Sequence, residues 1–257
     1  LKDSKGNEIG TVAIPETDGT ISQLKYMGAA DELELSFADE IYLHSLTIIN
    51  TGDGDITKNE QGYYVAEAGS ADSFWNILDL IKLNEDGTQP VIIFLPDGTY
   101  DLGKSVEIEI PINNLSIVGQ SMENTIIVTT PDVSKEGLGS ADLFYNKKNN
   151  LYLQDLTLQN ALDYYNAGSA GRAAVLQDAG SHTVGKNVRM LSYQDTYYSQ
   201  NSSQKAYWEG CDIHGTVDFI CGGGDIRFQN TTISLEKRQV STDPAKDGKG
   251  SRTIVNR

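Results

Sequence analysis

Short alternating triplets recur along the chain, each followed by turn residues. They are Leu115-x-Ile117, Leu156-x-Leu158, Val188-x-Met190, Cys211-x-Ile213 and Thr231-x-Ile233. Period-2 alternation marks a strand with one buried face. Successive triplets lie 41, 32, 23 and 20 residues apart. The last two intervals fit one coil of a solenoid, and the longer ones fit coils with inserted loops, or two coils. β character repeating near 20 residues is the mark of stacked coils. Hairpin signals such as Asn-Gly are scarce, which favours coiling over meandering. The expected fold is therefore all-β, a right-handed parallel β-helix over residues 71–257, with its last coils expected beyond residue 257.

Two aspartates occupy the same phase of consecutive repeats. Asp195 follows Val188 by seven positions, and Asp218 follows Cys211 by seven. Stacked on adjacent strands they would lie about 4.8 Å apart. Two acids that close do not ionise independently, so one holds a proton while the other is charged. Such a pair supplies a nucleophile or base together with a proton donor. The competing reading is a carboxylate ladder or a set of turn caps inside a non-catalytic solenoid.

The ends of the chain read differently. Phe74, Ile77, Leu78 and Ile81 make one helical stripe over Ser73–Lys82, capped by Asp72 or Ser73, which suits a helix plugging the open end of a solenoid. Residues 1–70 read as a small β appendage, part of a sandwich, with strands over Glu32–Phe37 and Ile41–Ile49. The Gly52-Asp53-Gly54-Asp55 turn with Asn50 is weighed as a calcium site. A plain surface turn is preferred, because the EF-hand glutamate and spacing are absent. The net charge of −16 argues against a nucleic-acid partner. It also disfavours a strongly anionic polymer, unless the site is locally basic or the polymer is neutralised by esters. Cys211 and Cys221 match neither a zinc nor a redox pattern, and Cys211 takes an inward slot. No run of 18 apolar residues exists, so no membrane span is expected. Residue 1 is Leu and no signal peptide is visible, which reads as a trimmed chain.

Tyr193-Gln194-Asp195-Thr196-Tyr197-Tyr198 followed by Gly215-Thr216-Val217-Asp218-Phe219-Ile220-Cys221-Gly222 resembles the pectin methylesterase family (pectinesterases, carbohydrate esterase family 8). The resemblance spans about residues 70–235 and includes the Phe94–Tyr100 and Leu156–Asn160 segments. It implies a right-handed parallel β-helix that hydrolyses galacturonate methyl esters without a metal or other cofactor. It implies that Asp218 is the nucleophile, Asp195 the acid/base, and Gln194 a holder of the oxyanion. The partner implied is pectin, or homogalacturonan, met by a monomer that is secreted, periplasmic or at the cell surface.

Two departures stand out. Where the family carries a second oxyanion glutamine, this chain has Arg172, in Arg172-Ala173-Ala174-Val175-Leu176. Arginine can donate to an oxyanion, pair with Asp195 or take a substrate carboxylate. The family's downstream Gly-Arg-Pro-Trp tetrapeptide, whose arginine orients the nucleophile, does not occur before Arg257. Arg238 is the preferred substitute, since it follows Thr231 by seven positions, and Arg252 is the weaker one. Tyr164, Tyr165, Tyr193, Tyr197, Tyr198, Tyr207 and Trp208 crowd the motifs, and Tyr198 and Trp208 are the candidates for stacking on sugar faces. His214 reads as a turn residue. Two other readings stay open: a catalytically impaired carbohydrate-binding β-helix, and a β-helix lyase or glycosidase acting on the same polymer.

Overall fold

The computed structural model describes residues 2–3, 33–34, 58–104, 107–132, 141–162, 164, 172–236 and 252–256. The chain divides into two compact units, Leu1–Thr57 and Lys58–Arg257. In the first, β1 (Lys2–Asp3) and β2 (Leu33–Glu34) pair antiparallel. The rest of the expected appendage, with the strand read over Ile41–Ile49 and the Asp53-x-Asp55 turn, lies outside the described residues.

The second unit opens with β3 (Tyr64–Val65) and the helix α1 (Ala71–Asn84). The helix is longer than its apolar stripe predicts, and its cap is Ser70, whose hydroxyl accepts from the Ser73 N–H at 3.1 Å. Phe74, Ile77, Leu78 and Ile81 are buried, as the stripe requires. The strands that follow are β4 (Val91–Leu95), β5 (Gly98–Asp101), β6 (Ile108–Glu109), β7 (Leu115–Gly119), β8 (Thr125–Thr129), β9 (Phe144–Asn146), β10 (Tyr152–Asn160), β11 (Leu176–Asp178) and β12 (Thr183–Leu191). After them come β13 (Tyr197–Ser199), β14 (Lys205–Glu209), β15 (Asp212–Gly215), β16 (Ile220–Gly222), β17 (Asp225–Gln229), β18 (Thr231–Leu235) and β19 (Arg252–Asn256).

Strand pairs from β3 to β18 are parallel and wind into three facets. One facet runs β3-β4-β7-β10-β12-β14-β17, the second β5-β8-β10-β12-β15-β18, and the third β6-β9-β11-β13-β16. This is a parallel β-helix, right-handed as parallel crossovers are. It begins at β3, which pairs with β4 before the expected boundary at residue 70. At the far edge β19 runs antiparallel to β18, a departure from the coil pattern.

Left-handed residues turn the corners between facets. Asp155, Asn187, Gly210 and Asn230, with φ of 52°, 53°, 64° and 49°, fall in register at one corner. Asn114, Asn150 and His182, with φ of 58°, 61° and 59°, mark another. Asn, Asp and Gly tolerate this region at the least cost. Neighbours in a column bond each other: Asn187 Nδ2 donates to Asp155 Oδ1 at 2.6 Å, and Asn150 Nδ2 to Asn114 Oδ1 at 2.7 Å. The sequence reads Tyr207–Ile213 and Asp225–Ile233 as single strands, but each is two strands broken at such a corner.

The triplets of residues 156, 188, 211 and 231 stack in register on the second facet. Leu115-x-Ile117 does not join them, because it pairs with Leu151-x-Leu153 on the first facet. Leu156, Leu158, Val188, Met190, Cys211 and Ile213 all point inward at 2% exposure or less. Burying each large aliphatic chain stabilises the coil by roughly 1.5–3 kcal/mol.

An ionic clasp ties three coils on the outside of the second facet. His214 is a strand residue rather than the expected turn residue. Its Nε2 meets Asp212 Oδ1 at 2.8 Å and its Nδ1 meets Glu236, while Arg189 Nε donates to Asp212 Oδ2 at 3.0 Å. The Asp212 contact raises the imidazole pKa above its ordinary value, and burial only partly opposes it. The same contact lowers the Asp212 carboxyl, helped by Arg189. A raised imidazole stabilises the fold fully below its unfolded pKa, about 6.5, and that share is lost as pH rises through the folded value. The lowered Asp212 contributes above its unfolded pKa, about 3.9, and loses its share in acid. The clasp is therefore strongest at about pH 4–6.5. We expect the melting temperature to fall between pH 6 and 8, and the fall to shrink in His214→Gln. An unchanged slope in that variant would assign the pH dependence elsewhere.

Candidate active site

The third corner, between the second and third facets, carries both aspartates. One coil crosses it from Leu191 to Tyr197, and the next from Gly215 to Ile220. Tyr197 pairs with Ile220, the Asp195 N–H donates to the Val217 carbonyl at 3.1 Å, and the Tyr197 N–H donates to the Phe219 carbonyl at 2.9 Å. This ladder sets Asp195 and Asp218 in register, one strand step of about 4.8 Å apart. Both are left-handed, with φ of 59° and 46°. They are the counterparts of the asparagines that turn the other corners. Gly215 permits the tight crossing, because a Cβ there would lie 2.1 Å from the Phe219 Cβ.

The two carboxyls have different surroundings. Asp195 is 8% exposed, whereas Asp218 is open to solvent. Burial raises the Asp195 pKa; the charge of Asp218 raises it further, while Arg172 and a hydrogen bond from Gln194 pull it down. Arg172 Nε stands 3.8 Å from Asp195 Oδ2, beyond hydrogen-bond length, and its side chain is 52% exposed. Solvent screening therefore weakens the pair, and burial dominates. The outcome is a carboxyl with heightened proton affinity beside a solvated one.

Arg172 and Gln194 stack on consecutive coils through a parallel bridge, and the Ala173 N–H donates to the Gln194 carbonyl at 3.2 Å. Arg172, the Gln194-Asp195 pair and Asp218 thus descend through three successive coils. Tyr198 sits half-buried on β13 between the inward Tyr197 and Ser199, in register with Gln177 before it and Cys221 after it. Behind this strand the Tyr197 hydroxyl lies 3.5 Å from the buried Asp178 carboxylate, which also accepts from Asn146 Nδ2 at 2.8 Å and from Gln204.

Trp208 is not in the cleft. It is fully buried, seated over Gly185 and edge-on to Tyr197 at 5.1 Å. Continuous alternation through Cys211 and Ile213 predicts that Trp208 faces outward. The left-handed Gly210 resets the phase, so Ala206 and Trp208 turn inward while Tyr207 faces out under Arg227. Arg238 and Tyr165 lie outside the described residues, and Arg252 opens β19.

Sequence reasoning missed one neighbour and one contact. Cys221 Sγ lies 4.0 Å from Asp195 Oδ1, and its thiol is pushed up to about 11, first by burial and then by the two carboxylates. It is protonated and unreactive near neutrality. Its register with Tyr198 was the available signal. Tyr164 and Tyr193 stack face to face, with ring centroids 5.1 Å apart and planes 9° from parallel. Their separation in sequence gave no signal of that contact. Among the described residues no group of three His, Cys, Asp or Glu side chains is arranged to hold a metal.

The family model described as Pectinesterase matches residues 63–249. Pectinesterase 2 of Citrus sinensis is 31% identical over 157 residues, which cover 59% of this chain and 28% of that protein. Probable pectinesterase 56 of Arabidopsis thaliana is 28% identical over 196 residues, covering 74% of this chain and 64% of that protein. The chain spans less than a third of the first of these relatives. Among solved structures, the pectin methylesterase PemA from Erwinia chrysanthemi superposes with a TM-score of 0.55 at 24% identity, over 65% of this chain and 53% of that one. A pectin methylesterase in complex with a hexasaccharide gives 0.56 at 24%, over 69% and 57%. These structures share the coiled fold described above.

Proposed function

The chain belongs to the pectinesterase family, and on that premise we propose that it hydrolyses the methyl esters of galacturonate units in pectin, releasing methanol. The observation that carries this reading is the unequal pair at the third corner. Asp218 is solvated and Asp195 is buried with raised proton affinity, one strand step away. A nucleophile must be charged and a general acid must hold its proton, and this environment separates the two states.

The steps follow from those states. An Asp218 carboxylate oxygen attacks the ester carbonyl carbon and a tetrahedral oxyanion forms. Gln194, with Arg172 one coil before it, supplies donors and positive charge for that oxygen. As the C–O bond to the methyl group's oxygen breaks, Asp195 gives its proton to the departing oxygen and methanol leaves. The product is an anhydride between Asp218 and the galacturonate carboxyl. Asp195, now ionised, takes a proton from water, whose oxygen attacks the anhydride. Asp218 is released as carboxylate and the sugar as a free acid.

Tyr198, outward on β13, is our candidate for a sugar-stacking contact in the same groove. A polymer of cell-wall size has to be met outside the cytoplasm, so we read the enzyme as secreted, periplasmic or surface-bound, and as a monomer. Among the described residues no helix is long and apolar enough to cross a membrane. Ester groups also keep the substrate neutral beside a chain of net charge −16.

Methanol release from highly methylated pectin tests the reading, and its absence would end it. Within that assay, Arg172→Gln is expected to retain substantial activity, since an amide still donates to the oxyanion. Losing the cation removes a force that lowers the Asp195 pKa, so the alkaline limb of the pH profile should move upward. Complete loss of activity would give Arg172 a role other than oxyanion donor.

A further inference from the structure

We propose that the stacked pair Tyr164–Tyr193 is a sugar-binding platform, a subsite for a galacturonate ring adjoining the one under attack. This rests on the esterase reading above and adds a place where the polymer is held. Tyr193 directly precedes Gln194, and its carbonyl accepts the Thr216 N–H, so its backbone is fixed between the two catalytic coils. Tyr164 arrives from the segment after β10, where its N–H donates to the Leu162 carbonyl at 2.7 Å. That segment leads on to Arg172. In chain order the pair belongs with the coils of Arg172 and Gln194, which precede the coil of Asp218.

Near-parallel rings at 5.1 Å brace each other, so little side-chain freedom is left to lose on binding. Both tyrosines are half-buried rather than sealed in the core, in contrast to Tyr197 and Trp208. A pyranose presents a C–H face that suits a flat aromatic surface, while its hydroxyls remain free for water and polar groups. The contact is indifferent to charge, so the subsite accepts a methylated neighbour as well as a free acid.

The test compares Tyr164→Ala and Tyr164→Phe on two substrates: the methyl ester of a single galacturonate unit and a methylated oligogalacturonate. Tyr164→Ala should raise KM about tenfold on the oligomer, the loss expected for one aromatic stack. It should leave kcat on the oligomer and both constants on the single unit unchanged, and Tyr164→Phe should restore the oligomer KM. A fall in kcat on both substrates would make the pair a support for Gln194 and overturn the platform. Unchanged constants on both would overturn it too. If the unmodified protein hydrolyses neither substrate, the esterase reading fails on its own. Calorimetric titration with the oligomer still tests the platform in that case: equal affinity in the unmodified protein and in Tyr164→Ala, or binding in neither, would overturn it.

Discussion

Asp218→Asn is expected to abolish methanol release while leaving the β-helix intact. The side chain is exposed, so no packing is lost, and its left-handed φ of 46° is one that asparagine adopts at Asn187 and Asn230 in this same molecule. The amide keeps the shape of the carboxylate but has no charge with which to attack a carbonyl. Removal of a covalent nucleophile costs at least about 10³-fold in kcat, with only binding and oxyanion stabilisation left to act. An unchanged melting temperature would show that the loss is chemical. Retention of more than a tenth of the wild-type kcat would remove Asp218 from the nucleophile's place. New reducing ends or an unsaturated ultraviolet-absorbing product, in place of methanol, would favour the glycosidase or lyase readings.

What the sequence discloses about this fold follows from its periodicities. Inward residues at 156, 188, 211 and 231 repeat at the true coil spacing, so their register is legible, and with it the phase of Asp195 and Asp218. Corners are harder to see. A single left-handed residue turns the chain without a Gly-Pro cluster, and Asn187 or Asn230 looks like any polar strand residue. Missing the corner at Gly210 fused β14 to β15, which put Trp208 on the wrong face. Missing the corner at Asp155 put Leu115 in a column with Leu156, although β10 bends there and Leu156 lies on the second facet while Leu115 lies on the first. The helix cap slipped for a related reason: Ser70 bonds the Ser73 N–H, and the apolar stripe marks only the buried face. The contact of Tyr164 with Tyr193 joins residues far apart in sequence, and no local periodicity encodes that.

The aspartates were legible because two acids at one corner break the pattern of the other corners. At the other corners the left-handed position is filled by residues that bond their neighbours along the stack, Asn150 to Asn114 and Asn187 to Asp155. At the third corner the stacked position holds two acids, which repel each other when both are charged. Holding non-glycine residues in this conformation also costs of order 1 kcal/mol each. A corner that spends stability in both ways holds two carboxyls in fixed register, the preorganisation that the proposed acyl transfer needs.

Asp195→Asn should separate the two halves of the reaction. The amide fits the corner at φ of 59° but can neither give a proton to methoxide nor take one from water. On methyl esters kcat is expected to drop about 10²- to 10⁴-fold, the usual span for a lost general acid–base. The pH profile should change with it. In the wild type, activity should fall as pH rises through the raised Asp195 pKa, because the acid would then be missing for the first step. The apparent value belongs to the coupled pair of aspartates rather than to one residue. The variant should lack that alkaline limb. An activated ester, whose leaving group departs without a proton, gives the sharper result. Asp218 still attacks it, so one equivalent of leaving group appears quickly. Turnover then stalls, because no base is left to activate water against the anhydride. A burst followed by arrest would assign nucleophile and base to the two separate carboxyls, whereas steady turnover at the wild-type rate would mean that Asp195 plays no part in the chemistry.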